Sequence, residues 1–130
     1  MNFAQSVENI ESLFGNTAWT TNNIRTFPQN YQGEIGDPEW VRVNIFQGTS
    51  VFRYQGGQSV GGLVNCNIFV PVGQGIRRAN QIADLLETLF RTNTISGVQT
   101  TNSFTTNVGV DSENSGLYRL DFTVNFNNYN

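Results

Sequence analysis

The feature that most constrains the fold is the alternating run at residues 63–72 together with the helix-spaced segment directly after it. Val64, Cys66, Ile68 and Val70 alternate with Leu63, Asn65, Asn67 and Phe69. A period of two marks a β-strand, and a strand whose row on one face is wholly apolar has to bury that face. Pro71 and Gly73-Gln74-Gly75 end the run. Ile76, Ala79, Ile82, Ala83, Leu86, Leu89 and Phe90 then recur at helical spacing as far as Arg91, a stripe wide enough to lie on a sheet. A chain of 130 residues builds one core. Residues 63–72 are therefore expected as a central strand, its Val64, Cys66, Ile68 and Val70 covered by Ile82, Leu86 and Phe90.

The remaining periodicity fills in the class. Phe3, Val7, Ile10 and Phe14 predict a helix over 3–14, stopped by Gly15. Residues 16–39, rich in Asn, Thr, Gly and Pro, read as a long, partly ordered loop with 24–27 as its one strand-like piece. From Trp40 the period is two, with Val41, Val43 and Ile45 on one face; Gly48 is expected to break this strand and 51–54 to form a shorter second one. The four glycines in 55–62 suit a hairpin end. Phe104, Thr106, Val108 and Val110 line one late strand, and Tyr118, Leu120, Phe122, Val124 and Phe126 another, with 111–116 as the turn between them. The expectation is one α+β domain over 1–130: an antiparallel-dominated sheet with an N-terminal helix and a central helix packed on it, closed by a long C-terminal β-hairpin.

Composition excludes much chemistry. All seven basic residues are Arg, there is no His, and ten carboxylates leave a net charge of −3. No Ser-His-Asp triad, His-ligated metal, P-loop lysine or Schiff base can be assembled. An acidic chain without a basic cluster is not expected to grip phosphates, so no specific nucleic-acid binding is predicted. Eighteen Asn, nine Gln, thirteen Thr and thirteen Gly make the surface polar without charge, yet ten Phe, four Tyr and two Trp in patterned runs predict a folded chain. The lone Cys66 has no disulfide partner and, in an all-apolar row, reads as inert core. Met1-Asn2-Phe3-Ala4 carries no basic region and Glu8 and Glu11 come after it, so no secretory leader is expected. No apolar run approaches the roughly 20 residues that span a bilayer, so no membrane association is expected.

Candidate sites are few. Gly73-Gln74-Gly75 between strand and helix looks like a phosphate cradle, but Arg78 stands where a dinucleotide fingerprint has its third glycine. Arg77 and Arg78 are the odd feature: two cations in the first turn of a helix oppose its dipole, at about 0.3 to 1 kcal/mol each unless compensated. An acidic partner is expected for them, first among candidates the Glu34, Asp37 and Glu39 loop of an adjacent subunit. These three carboxylates otherwise read as a solvated loop, not as a glycosidase pair or calcium site. Residues 111–116 resemble a calcium loop only briefly, since position twelve would be Phe122. Trp19, Trp40, Phe52 and Tyr54 form a stacking platform only if exposed; without a basic groove, core or subunit contact is the better reading. No catalytic, cofactor or metal site is predicted.

Three pieces in fixed order resemble the tail terminator, or tail completion, proteins of long-tailed bacteriophages. They are Pro38-Glu39-Trp40-Val41-Arg42-Val43 after a long polar loop; Gly62-Leu63-Val64 leading into Ile68-Phe69-Val70-Pro71-Val72-Gly73-Gln74-Gly75 and a helix with Ala79, Ala83 and Asp84; and Gly116-Leu117-Tyr118 opening a strand that ends in Phe126. The resemblance spans residues 2–126, nearly the whole chain. It implies an α+β subunit of a homo-oligomeric ring, usually of six. Such a ring caps the head-proximal end of the tail tube in the virion, after assembly in the host cytoplasm. The implied partners are the tail tube protein and a head-completion or neck protein, with DNA passing through the lumen and neither catalytic residues nor a cofactor. An acidic lumen would let the duplex slide. The absence of Lys and the Asn-rich ends depart from the family and bear on partner surfaces. The alternatives are another neck or tail-tube protein of the same virion, or a small carbohydrate-binding module using Trp19, Trp40 and Tyr54 with the 34–39 carboxylates.

Overall fold

The computed structural model describes residues 3–28, 39–52, 58–73, 75–92, 98–110 and 116–128. Along the chain these form α1 (Phe3–Leu13), α2 (Thr17–Thr20), β1 (Arg25–Pro28), β2 (Trp40–Phe52), β3 (Gln58–Pro71), α3 (Gly75–Thr92), β4 (Val98–Val110) and β5 (Leu117–Asn128). The strands make one sheet in the order β1-β2-β3-β5-β4. All neighbours are antiparallel except β1 and β2, which run parallel, so the sheet is mixed. β3 is central, as its two-sided burial demands.

The core forms where two periodicities meet. Val64, Cys66, Ile68 and Val70 are wholly buried, and they share one apolar cluster with Ala79, Ile82, Leu86, Leu89 and Phe90 of α3. Leu120, Phe122, Val124 and Phe126 of β5 extend the same face, and Phe90 stacks on Phe122 with ring centroids 6.4 Å apart. Each Val, Ile, Leu or Phe among them contributes about 1.5 to 3 kcal/mol by leaving water. Burial pushes the Cys66 thiol far above its ordinary pKa, with the Asp121 charge adding to the effect, so the thiol is a core group and not a nucleophile. Ile76, counted in the α3 stripe, is instead about half exposed, because the helix reaches the sheet only from Ala79 onward.

Three expectations are corrected. Within 16–39 the strand-like piece expected at 24–27 is β1, but 17–20, expected as loop, form α2; residues 29–38 lie outside the described residues. Asn16 caps α2 by accepting from the Ala18 N–H at 2.9 Å. Trp19 is then driven into the core, where its indole N–H donates to Thr26 Oγ1 at 2.9 Å and its ring meets Phe14 edge-on. Asn23, at φ 55°, makes the left-handed turn into β1. Gly48 does not end β2; the register steps between Gln47 and Thr49, so the glycine is the extra residue of a bulge and the strand runs on to Phe52. Opposite it, a Cβ on Gly62 would run into the Phe46 carbonyl oxygen, which is why glycine stands there. In β4, register shifts between Thr100 and Ser103 and between Asn107 and Gly109 break the expected single row. Phe104 and Thr106 share a face with Thr123 and Asp121, whereas Val110 pairs with Tyr118 on the opposite face.

Two substitutions test this packing by urea unfolding. Ile68→Ala is expected to cost about 2 to 5 kcal/mol, because the wholly buried site cannot collapse around the missing atoms. Gly62→Ala is expected to cost about 1 to 3 kcal/mol by forcing the β2 bulge apart. A loss below roughly half a kcal/mol in either would show the site to be more yielding than its geometry implies.

Candidate interaction surface

Arg78 and Glu39 are brought together, but inside one chain. The Arg78 fork donates from Nε to Glu39 Oε2 at 2.9 Å and from Nη2 to Oε1 at 2.7 Å. Glu39 immediately precedes β2, so the pair ties the first turn of α3 to the mouth of the β2 strand. The hydrogen bonds from Arg78 hold the Glu39 carboxyl below its ordinary range, with partial desolvation opposing them and the charge of Arg78 reinforcing them. Reciprocally, Arg78 is pushed up, first by its bonds to Glu39. The cation that offends the helix dipole is thus compensated within the subunit, not across a subunit boundary as the sequence suggested. Arg77 is exposed and makes no ion pair among the described residues. Glu34 and Asp37 lie outside the described residues, as do 111–115.

The larger feature is the sheet face away from α3. No described helix covers it. At one end Trp40 stacks on Phe69 with centroids 4.1 Å apart, Phe27 meets Trp40 edge-on, and Leu117 packs beside them. The Arg42 guanidinium lies 5.5 Å from the centre of the Phe69 ring. In the middle stands Asn67, 1% exposed. Its Oδ1 accepts from Arg42 Nε at 2.9 Å and from Asn44 Nδ2 at 2.8 Å. Its Nδ2 donates to Asn65 Oδ1 at 2.8 Å and to Asp121 Oδ1 at 2.9 Å. Asn65 goes on to donate to Thr123, and Arg119 grips both oxygens of Asp121. Every polar atom of the Asn67 amide is used, which is the condition for burying it without a large penalty.

Beyond this network the face carries Phe46 and Phe104, 53% and 52% exposed. The surface is therefore polar and fully bonded at its centre and apolar at its margin. Asn65, Asn67 and Phe69 fall on this face by alternation alone, which carries no sign of a role. The signal for one is the repeated Asn at alternate strand positions, which solvent alone does not require. The stacking-platform reading fails on burial: Trp19 is 2% and Trp40 9% exposed, and the Phe52 and Tyr54 side chains lie outside the described residues. Among the described residues no cluster of three or more His, Cys, Asp or Glu could hold a metal ion, and no helix is long and apolar enough to cross a membrane.

No family model matches the chain, and no curated protein is similar to it in sequence. One solved structure aligns with 100% of this chain and 96% of its own length at a TM-score of 0.66 and 17% identity; its name carries no functional word. At that identity the likeness shows the α+β fold alone.

Two measurements check the site. Glu39 has a folded pKa below its ordinary 4.5, so the pair contributes fully above that value and is lost as pH falls through the folded pKa. Wild type should exceed Glu39→Gln in stability by up to about 1 kcal/mol at pH 6, and the gap should close on acidification; a gap that persists in acid would contradict it. Asn67→Ala strips partners from Arg42, Asn44, Asn65 and Asp121 at once. It should cost about 2 to 3 kcal/mol in denaturant unfolding, well beyond one exposed hydrogen bond.

Proposed function

We propose that this chain is a structural protein of a long-tailed phage virion, a tail terminator that closes as a ring on the head-proximal end of the tail tube, stops its growth and offers the joining surface for the head. The observation that carries the reading is the sheet face that no described helix covers. That face holds a buried, fully bonded Asn67 and two half-exposed phenylalanines. Such a face is suited to being covered by a neighbour. The order of motifs along nearly the whole chain gives the reading its family, and the α+β subunit agrees with it. The carbohydrate-binding alternative loses its platform once Trp19 and Trp40 are buried.

In this reading Arg77, exposed beside the clamped Arg78 and in no ion pair among the described residues, is the cation left for a neighbouring subunit or the tube. Replacing both arginines is not a clean test, because Arg78→Glu would set two carboxylates against each other at Glu39. Arg77→Glu alone should leave stability within roughly half a kcal/mol and yield tails of uncontrolled length by electron microscopy. Phe46→Asp should block incorporation into the ring. A cryo-EM map of complete tails without a ring of this chain at the head-proximal end would sink the proposal; density for the chain along the tube or in the neck would assign it to that structure.

A further inference from the structure

β4 is an edge strand of 13 residues with no charged residue and no proline. Edge strands present a row of unpaired backbone N–H and C=O groups, and chains that must stay apart protect them with charge, proline or a cover. Among the described residues no strand pairs with the outer edge of β4, and residues 104–108 are all exposed. The two bulges leave one regular stretch between them, in which Ser103, Phe104, Thr105, Thr106 and Asn107 pair in unbroken register with Val124 through Leu120. That is the length of a short partner strand.

Beside this edge, on the α3 side, runs a groove. One part, a cavity of about 270 Å³, is lined by Asn80, Asp84, Glu87, Ser103, Thr105 and Phe122. It continues past Glu87, Ser103 and Phe122 into a second of about 240 Å³ over Phe90. Its rim is acidic. Glu87 accepts from Ser103 at 3.1 Å and is loosely paired with Arg91 at 3.5 Å, while Asp84 is exposed and makes no ion pair among the described residues. A strand added to β4 would send alternate side chains into this groove, where two carboxylates face one already engaged guanidinium.

We infer that the Ser103–Asn107 edge of β4 docks an extended segment of a partner protein by strand addition, and that Asp84 and Glu87 select a segment with Lys or Arg at alternate positions. Main-chain bonds would supply affinity and the acidic rim the preference. Edge and groove belong to a single chain, so this docking stands whether or not the subunits form a ring.

The test uses the whole protein and three capped heptapeptides. In the first, Lys alternates with Val and Thr; in the second, Glu replaces Lys; the third is the Lys peptide N-methylated at alternate amides. Calorimetry should show saturable binding of the Lys peptide and binding of the Glu peptide at least about tenfold weaker. The perturbed amide resonances should centre on residues 103–107. Methylation along one edge should abolish binding. In Asp84→Asn/Glu87→Gln the Lys and Glu peptides should bind alike, and Asp84→Asn alone, which breaks no ion pair, should narrow the gap. Absence of saturable binding, indifference to methylation, or a Lys preference that survives both variants would each overturn the inference. So would self-association of the free chain through these same amides, which would make a second copy the occupant.

Discussion

β3 is held from both faces at once, and the rest of the molecule is arranged around that. On one side Val64, Cys66, Ile68 and Val70 lie under α3; on the other Asn65 and Asn67 are locked into a side-chain network with β2 and β5. Because successive side chains alternate between faces, a slip of one residue would drive two amides into the apolar core and four apolar groups out of it. The register of β3 against β2 and β5 is therefore specified twice, by what must be dry and by what must be bonded. The pairing is fixed without a second layer of helices, and among the described residues no helix lies on that other face.

The elements most legible in the sequence are those whose periodicity answers to one partner. The α3 stripe, the β3 alternation and β5 all meet the same core, so pattern and burial agree. Legibility fails where backbone geometry, not hydrophobicity, decides the outcome. Gly48 reads as a stop because a glycine in a strand can end pairing or be absorbed as a bulge; what decides is the approach of Gly62 to the Phe46 carbonyl on the neighbouring strand. β1 shows in the sequence only as the strand-like piece 24–27, because four residues that pair only along one side carry little pattern of their own. Its placement comes from Trp19, whose burial and bond to Thr26 pull the segment in.

The site is legible in part. Arg77 and Arg78 stand out in the sequence because they break the helix-dipole rule, and Glu39 is among the carboxylates expected to answer them. Sequence cannot tell a bond within a subunit from one between subunits, since that depends on how far β2 lies from the start of α3. The network centred on Asn67 is invisible as a network. Its members come from three strands, and only the register of β2, β3 and β5 sets Arg42, Asn67 and Asp121 side by side.

These features leave two different surfaces unspent. The sheet face that no described helix covers is hydrogen-bonded at its centre and apolar at its margin, with Arg42, Arg119 and Asp121 as the charges in its network. The β4 edge is narrow, uncharged along its backbone and bordered by carboxylates on the helix side. An isologous pair would use a single surface twice, whereas a head-to-tail ring needs one patch to meet a different one on the next subunit. Covering the open face in such a ring would leave the β4 edge and its groove pointing elsewhere, because the strand's hydrogen-bonding direction lies in the plane of the sheet and the face is normal to it. Subunit association and strand docking therefore make separable demands on the same sheet, and a change confined to Asp84 or Glu87 touches only the second.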